Sequence, residues 1–430
     1  MKSSQITKIF ASVLLLLIVI ISEGYQKEEK ALFLKFGKCI TVTRGTIENG
    51  AILIRDGKIQ ALGPDLECPL DARIIDASSL TVMPGLIDSF TNLGAVEIER
   101  SNRDFDEETT PLTPHLRIID AINPENSFIR VERKNGVTSV LCAPGEGNLL
   151  SGQSALIHLA GESIEEMIVK FPVAVHGNLG EEPKLRYGKK GVYPSTRMGL
   201  AALLRQTLID ANDYLNRFLD YQKKVEEFEK KEKKREKDKS EKPLPFEIDF
   251  KLHALLPVIK GGLPLILRAN RLDDILTGLR IAEEFKLNLI INHGAEAYRV
   301  ADKLALKNIP VLFGPLESYF QKMETKGASY EGIIELYRKG VRFAFQTGSI
   351  QNVSSLLAQA ERAISFGLPY EEAIKALTIY PAQIFGVENK LGSVEEGKIA
   401  DLVVFEGDPL TRLSKVKMVI INGEVVEEMF

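Results

Sequence analysis

Eight short apolar segments recur through the middle of the chain, and they constrain its fold more than any other feature. Most are continuous hydrophobic runs, as in parallel strands buried on both faces. Most are separated by helical patterns such as DDILTGLRIAEEF. This alternation predicts an α/β protein with a (β/α)8 TIM barrel, with a doubly wound open sheet as the alternative. The segments are TVMPGLIDSF, GVTSVLCAP, SALIHLAG, FPVAVHG, LPLILRAN, LNLIINHG, IPVLFGP and RFAFQTG.

Both ends of the chain are rich in short β-strand patterns instead. Asp56-Gly57 separates two hydrophobic stretches near the N-terminus, and Asn422-Gly423 does the same near the C-terminus. Both dipeptides are typical of tight β-hairpin turns. We therefore predict a small β-sandwich domain assembled from residues 31–82 and 390–430, with the barrel spanning residues 83–389.

One charged segment interrupts the barrel pattern. Residues 221–245, YQKKVEEFEKKEKKREKDKSEKPLP, carry charges of both signs at helical spacing and have almost no apolar face. The pattern predicts a solvated helix or a mobile insertion between the fourth and fifth strands. A basic arm that binds a partner is the alternative, although acidic residues are interspersed throughout the segment.

The N-terminus has the pattern of a secretory signal. Lys2 and Lys8 precede an apolar run that extends to residue 21. The run is short for a membrane span, which needs about 20 apolar residues. This order is typical of a signal peptide, so we expect residues 1–24 to direct export to the periplasm or the extracellular space. An uncleaved signal that anchors the chain in the membrane is the alternative.

Net charge and cysteine spacing argue against two further kinds of protein. The formal net charge is -4, whereas nucleic-acid-binding proteins normally present a basic face, so no nucleic-acid partner is expected. The three cysteines, Cys39, Cys68 and Cys142, lack the spacing of a zinc site or a CxxC redox pair. A Cys39–Cys68 disulfide is one interpretation, and three buried thiols are the other.

Several predicted strands end in side chains that can line a pocket. In a (β/α)8 barrel the chemistry takes place at the carboxyl ends of the strands, so these residues define the candidate site. They are Asp88, Phe90 and Asn92 on the first strand, His176 on the fourth, Arg268 and Asn270 on the fifth, His293 on the sixth, and Thr347 and Gly348 on the eighth.

Long stretches of the chain resemble a known family. VMPGLIDSFTNLG resembles the first barrel strand of the metal-dependent amidohydrolase superfamily, whose usual form is PGLIDxHxHxG. ALTIYPAQIFGVENKLGSVEEGKIADLVVFEGDPL resembles its closing stretch, and GTIENGAILIRDGKIQALG resembles its opening strands. More narrowly, TPHLRIIDAINPENSFIRVERKNGVTSVLCAPGEGNLLSGQSA and LPLILRANRLDDI resemble the imidazolonepropionase-like and related branch. The resemblance covers about residues 33–430.

The resemblance implies a barrel that holds one or two ions of zinc or another divalent metal. The metal would activate a water molecule that attacks an amide, ester or ring carbonyl carbon. The implied ligands are a His-x-His pair on the first strand, a carbamylated lysine or a glutamate on the fourth, and histidines on the fifth and sixth. An aspartate on the eighth strand would bind the metal and relay the proton.

The first-strand and fourth-strand positions do not keep this pattern. The His-x-His pair corresponds to Phe90 and Asn92. Phenylalanine has no donor atom, and a neutral amide is a poor zinc ligand compared with imidazole. The fourth-strand position falls on or near His176, with His158 on the third strand as the alternative.

The remaining positions keep only one implied ligand. The fifth-strand histidine corresponds to Arg268 or Asn270, His293 matches the sixth-strand histidine, and Gly348 replaces the eighth-strand aspartate. The fixed charge of an arginine repels a divalent cation. Arg268 either binds an anionic ligand through a bidentate contact or forms an ion pair with Asp88, the interpretation we favour. His293 is interpreted as a pocket residue hydrogen-bonded to its neighbours.

Other motifs add little chemistry. Glu296 is better interpreted as marking a helix start than as a general base. PGEGN, residues 144–148, lacks the context of a phosphate-binding loop, and SGQS, residues 151–154, lacks the nucleophile-elbow pattern. Scattered histidines without an HxH or HExxH motif are weak material for a catalytic zinc site. The five histidines are His115, His158, His176, His253 and His293.

Two hypotheses for function follow. The first is an exported, non-catalytic homologue with a degenerate metal centre and no cofactor. It would bind a small molecule, or assemble with itself or with an active relative. The second is a hydrolase of carbon–nitrogen bonds in amides or cyclic amides. It would work without metal, or with atypical ligands such as His176, His293 and Asp88.

Overall fold

The computed structural model describes residues 31–97, 104–233, 242–316, 323–352 and 354–429. The predicted signal peptide at residues 1–24 lies outside these residues, as do residues 234–241 of the charged insertion. In the described ranges, no helix is both long enough and apolar enough to cross a membrane.

Strands and helices are numbered along the described residues. The strands are β1 Leu32–Ile40, β2 Thr46–Arg55, β3 Lys58–Gly63, β4 Arg73–Pro84, β5 Leu86–Thr91, β6 Val137–Cys142, β7 Leu150–Gln153, β8 Ala155–His158, β9 Ile168–Lys170, β10 Val175–Asn178, β11 Leu265–Ala269, β12 Leu289–His293, β13 Val311–Phe313, β14 Phe343–Phe345, β15 Leu402–Glu406, β16 Lys415–Ile421 and β17 Glu424–Glu428. The α-helices are α1 Ser127–Lys134, α2 Ile164–Met167, α3 Glu181–Lys189, α4 Arg197–Lys233, α5 Phe250–Ile259, α6 Leu272–Phe285, α7 Ala301–Leu306, α8 Tyr330–Arg338, α9 Leu356–Ser365, α10 Tyr370–Leu377 and α11 Ile379–Ile384. Short 3-10 helices include Ile118–Asp120, Ala297–Val300, Met323–Thr325 and Ile350–Asn352.

Strands from the two ends of the chain form one seven-stranded sheet, in the order β17-β16-β15-β4-β1-β2-β3. The hairpins predicted at Asp56-Gly57 and Asn422-Gly423 are confirmed, because each dipeptide joins two antiparallel strands. The φ angles of these four residues lie between 53° and 78°, as a type I′ turn requires. The two ends meet where β15 pairs with β4.

This sheet is covered on both faces. Leu402 and Val404 pack in a core made by the chain ends, whereas Val403 and Phe405 pack in a large core shared with the middle of the chain. Side chains of a strand alternate between its two faces. The sheet therefore attaches the chain ends to the middle region through hydrophobic contacts.

The middle of the chain forms two sheets that contain the eight predicted strands. One has the order β14-β13-β12-β11-β10-β7, and the other has the order β5-β6-β8-β9. Hydrogen bonds of the Ser154 backbone connect the two sheets beside β10. Near the other edge, Ser89 Oγ donates to Phe345 O at 2.7 Å and Gly348 N donates to Phe90 O at 2.9 Å. These contacts place β5 beside β14.

The third predicted strand differs from its neighbours in direction. It contains β8, which runs antiparallel to β6. The short strand β7 precedes it, was not predicted, and runs antiparallel to β10. The connection from β6 to β7, residues 143–149, is too short for a parallel crossover, which needs a dozen or more residues. The chain must therefore turn back directly after β6.

Alternate residues of the middle strands pack in two different cores. Leu265 and Leu267 on β11 lie in the large core with the helices. Ile266, between them, points to the opposite face and lies in a separate core enclosed by the middle strands. Both faces are therefore buried, which accounts for the continuous hydrophobic runs. The core enclosed by the middle strands includes Ile87, Leu141, Leu156, Ala174, Ile266, Ile290, Leu312 and Ala344.

The charged insertion continues a long helix. Helix α4 has 37 residues and begins at Arg197, well before the segment predicted from its charges. Its buried residues end at Leu215, and most residues between 221 and 233 are exposed, as predicted for a solvated helix. The three cysteines are free: Cys39 and Cys142 are buried, and Cys68 is partly exposed.

Candidate functional site

An ion-paired network around Arg268 lies at the carboxyl ends of the parallel strands. Arg268, near the end of β11, is 3% exposed. Its Nε lies 3.0 Å from Glu146 Oε2, and its Nη2 donates to Glu324 Oε1 at 2.7 Å. Burial opposes the charge of the guanidinium, but the two carboxylates raise its pKa above the ordinary value for arginine. Arg268 is therefore a charged, almost fully buried group with two acidic partners.

The ion pair predicted between Arg268 and Asp88 is wrong. The Asp88 carboxylate accepts hydrogen bonds from Thr347 Oγ1 at 2.5 Å and from the backbone N–H groups of Thr347 and Phe90 at 3.0 and 3.2 Å. Asp88 lies on β5, in a different sheet from β11, and faces the segment that follows β14. The prediction failed because these two strand ends are not neighbours.

Asp88 and Glu132 are two buried carboxyl groups with raised pKa values. Burial raises the pKa of Asp88 to about 7, although three hydrogen bonds oppose this shift. Burial, and then the charge of Asp88, raises the pKa of Glu132 on α1 well above its ordinary value. In the folded protein these two carboxyl groups therefore keep their protons up to a higher pH than they do in the unfolded chain.

We expect this pair to make stability fall as the pH rises. For Asp88 the stabilisation is fully present below a pH of about 4, the unfolded pKa, and is lost as the pH rises through about 7. Each group contributes a slope of up to about 1.4 kcal/mol per pH unit. Urea unfolding of the wild type and of Asp88→Asn should therefore show a flatter profile in the variant. Equal slopes in the two proteins would contradict the assignment.

The Phe90 ring packs against two histidines. Its centroid is 5.7 Å from that of His176 and 5.9 Å from that of His293. His176 is 3% exposed, and burial lowers its pKa to about 3, so the imidazole is neutral. Its Nε2 has no hydrogen-bond partner among the described residues. An apolar ring thus contacts both histidines that the sequence placed in the pocket.

His293 contacts the acidic residue that also pairs with Arg268. Its Nε2 lies 2.5 Å from Glu146 Oε1, which confirms that His293 is hydrogen-bonded to a neighbouring residue. The two oxygens of Glu146 therefore face two different basic side chains, because Oε2 is the one beside Arg268. Glu146 is the centre of the network, and sequence reasoning missed it.

Glu324 closes the other side of the network. It lies in the 3-10 helix Met323–Thr325 and is 1% exposed. Its Oε2 accepts the backbone N–H of Glu181 at 2.9 Å, at the start of α3. Its Oε1 also accepts from Asn270 Nδ2 at 3.4 Å. These contacts hold Glu324 against Arg268, and the positive end of the helix dipole favours its charge.

The loop that carries Glu146 passes close to other side chains. A Cβ at Gly147 would lie 1.9 Å from Arg186 Cζ, so a larger residue there would require the guanidinium of Arg186 to move. The side chain of Asn148 accepts from Tyr187 Oη at 2.5 Å and donates to Thr113 Oγ1 at 3.0 Å. The glycines of PGEGN thus permit close packing. A glutamate between two glycines, directly after a strand, was the available signal.

Asn92 and Gly348 bring the first and last strands together. Asn92 Oδ1 accepts the backbone N–H of Ile350 at 3.2 Å. Gly348 has a φ of 73°, and a Cβ on it would lie 2.7 Å from Pro315 Cδ. An aspartate at this position would be strained and would collide with the proline. These two residues shape the backbone of the site.

His158 and Glu296 lie outside the network. Because the third strand runs antiparallel, His158 pairs with Ser139 at the amino end of β6, away from the site. Its Nε2 lies 3.0 Å from Asp401 Oδ2. As a fourth-strand metal-ligand candidate it is therefore wrong. Glu296 directly precedes the 3-10 helix Ala297–Val300, the helix start that was predicted. Its Oε2 also accepts the backbone N–H of Leu272 at 2.7 Å, at the start of α6.

The network has the composition of an ion-pair cluster. Over the described ranges, no three His, Cys, Asp or Glu side chains come together in a way that could hold a metal ion. The site instead brings together Arg268 and His293 from strand ends with two glutamates from a loop and a 3-10 helix. Such an arrangement is suited to holding charge or to binding an ionic ligand.

Comparisons with known proteins reveal one consistent similarity. A family profile for the Amidohydrolase family matches residues 280–426. The crystal structure of an amidohydrolase from Thermotoga maritima MSB8 superposes with a TM-score of 0.86 at 34% sequence identity. The superposition covers 92% of this chain and 100% of that one.

Two curated relatives extend the comparison. An imidazolonepropionase from Methylobacterium sp. (strain 4-46) is 27% identical over 401 residues, which is 84% of this chain and 88% of that protein. The amidohydrolase tasK from Hapsidospora irregularis is 25% identical over 382 residues, which is 85% of this chain. The match spans only 38% of the length of tasK.

Proposed function

Because the chain belongs to the amidohydrolase superfamily, we propose that its strand-end site binds a small molecule without a metal ion and without catalysing hydrolysis. The observation that supports this most strongly is the buried charge of Arg268 between Glu146 and Glu324. A fixed positive charge at this place opposes a divalent cation. The same charge favours an anionic ligand.

Three residues conflict with the metal centre that the superfamily implies. Phe90 offers no donor atom, and its ring packs against both His176 and His293. Arg268 forms ion pairs where a histidine ligand would stand. A side chain at Gly348 would strain the backbone and contact Pro315. The residues present therefore do not fit the metal.

We also propose the complete superfamily fold for the chain. The eight middle strands would close as a (β/α)8 barrel, and the two chain ends would form a β-sandwich. The shared core of residues from all eight strand regions supports closure, as do the contacts between β5 and the end of β14. The site then lies at the mouth of the barrel.

Metal analysis combined with a hydrolysis screen tests the proposed function. We expect the purified protein to contain no stoichiometric transition metal. We also expect it to hydrolyse amides and cyclic imides no faster than a heat-inactivated sample. Parallel samples incubated with zinc and with a chelator serve as controls. Stoichiometric metal in the protein, or turnover that zinc restores after chelation, would contradict the proposal.

The contact between His293 and Glu146 favours a second candidate, a metal-free hydrolase of carbon–nitrogen bonds. An imidazole 2.5 Å from a carboxylate has the arrangement of a general base with an orienting acid. In this case turnover would survive chelation. It would fall by about 10²–10⁴-fold in His293→Gln, because a positioned base contributes that much.

Export through residues 1–24 stays a prediction from the sequence. Assembly with a second copy or with an active homologue also stays a prediction. Neither is needed for the small-molecule binding proposed at the strand ends.

A further inference from the structure

We propose that the site binds a small carboxylate, which pairs with Arg268 and His293 by displacing the side chain of Glu146. This inference rests on the ligand-binding function proposed above and names the class of ligand. In the structure, Glu146 places one carboxylate oxygen beside each of the two basic residues. Glu146 thus occupies the position that a free carboxylate would take.

Arg268 has hydrogen-bonding capacity that its acidic partners do not use. Its Nη1 is buried and has no hydrogen-bond partner among the described residues. Its Nε lies 3.0 Å from Glu146 Oε2 but lacks the alignment of a hydrogen bond. A guanidinium can bind a carboxylate through two parallel hydrogen bonds. A carboxylate that is free to orient itself can therefore pair with Arg268 better than the tethered Glu146 does.

Of the two acidic partners, Glu146 is the one that can leave. Glu324 is 1% exposed and accepts the backbone N–H of Glu181 as well as Arg268 Nη2. The side chain of Glu146 is 25% exposed, and its residue lies between Gly145 and Gly147 on a loop. Rotation of Glu146 into solvent leaves the hydrogen bonds of Glu324 to Arg268 and to the backbone of Glu181 in place. Arg268 therefore keeps one buried counter-ion throughout the exchange.

The surroundings of Glu146 suit a small ligand with an apolar end. Neutral His176, whose Nε2 has no partner among the described residues, lies near enough to be affected by the charge of Glu146. The Phe90 ring contacts both His176 and His293. The incoming anion replaces the charge that Glu146 removes, so the balance of charge in the site stays the same. The acetate ion, which has one carboxylate and one methyl group, is the simplest probe with a charged end and an apolar end.

Thermal unfolding of Glu146→Ala in acetate tests the proposal. The variant should have a lower Tm than the wild type, because Arg268 and His293 lose a carboxylate. Sodium acetate should restore most of the lost Tm, with a recovery that keeps rising with acetate concentration, and sodium chloride at the same ionic strength should not. A ligand that binds only the folded state stabilises it in proportion to the logarithm of its concentration.

Two further variants serve as controls. Glu284→Ala removes an exposed partner of Arg205, and it should show no difference between acetate and chloride. Glu146→Gln keeps the volume of the side chain, so acetate should restore less of its Tm than that of Glu146→Ala. Identical responses of Glu146→Ala to the two salts would overturn the proposal.

The wild type provides an independent measurement that does not depend on folding of a variant. Saturation-transfer NMR should detect acetate bound to the wild type. The wild type should need a higher acetate concentration than Glu146→Ala, because its tethered Glu146 competes with acetate for Arg268 and His293. An excess of chloride should not suppress the signal. If the wild type shows no acetate-specific signal, displacement of Glu146 is wrong. Metal or turnover in the screen described above would instead contradict the proposed function and leave acetate binding unaffected.

Discussion

Replacing Arg268 with methionine should lower the free energy of unfolding by about 3–5 kcal/mol, because removal of one partner leaves buried charges uncompensated. Glu324 is 1% exposed and would lose its nearest cation, and Glu146 would lose one of its two basic contacts. Methionine fills much of the same volume, so the loss reports mainly on charge. Urea unfolding at neutral pH measures the effect.

Arg271→Met is the matched control for this substitution. Arg271 forms an ion pair with Asp273 at 2.9 Å, and both side chains are about half exposed. An exposed pair of this kind contributes about 0–1 kcal/mol. A loss in Arg268→Met that is no larger than the loss in Arg271→Met would show that the buried network does not stabilise the fold.

Phe90→Ala should destabilise the protein by about 3–5 kcal/mol, the usual cost of removing a buried phenylalanine ring. Phe90 is 4% exposed, and its ring packs against His176 and His293. The backbone hydrogen bond from Gly348 N to Phe90 O does not depend on the ring, so it should remain. The loss therefore measures what the ring contributes by filling the site. Urea unfolding again measures the change.

Phe250→Ala removes the same ring from an exposed position. Phe250, at the first residue of α5, is 73% exposed, and its truncation should change stability by at most about 0.5 kcal/mol. If Phe90→Ala proved as mild as Phe250→Ala, the ring would not be a packed element of the site. The metal-excluding role proposed for Phe90 would then lose its structural basis.

Most strands could be predicted because burial on both faces leaves a signal in the sequence. The run around Leu265–Ala269 is apolar because alternate residues enter two different cores. The hairpins at Asp56-Gly57 and Asn422-Gly423 were predictable for a local reason, since positive φ angles favour these residues. The reversed direction of the third strand was missed, because it shows only in the short connection between the predicted strands and not in their hydrophobic pattern.

The site could be predicted only in part. Phe90, His176 and His293 come together as expected from strand ends that share one edge. Glu146 and Glu324 come from a loop and a 3-10 turn, which have no periodic pattern to mark them. The partner of Arg268 was therefore assigned to Asp88, the one acidic residue already placed at a strand end.

The sequence by itself determined the kinds of side chain available at the strand ends, and with them the conflict with a metal centre. Phe90 and Gly348 offer no metal ligand in any conformation, and arginine stays charged in a folded protein. Only the tertiary structure decided which charges pair. Ion pairs form between residues far apart in the chain, and closure of the sheets brought Glu146 and Glu324 to Arg268 while leaving Asp88 with Thr347.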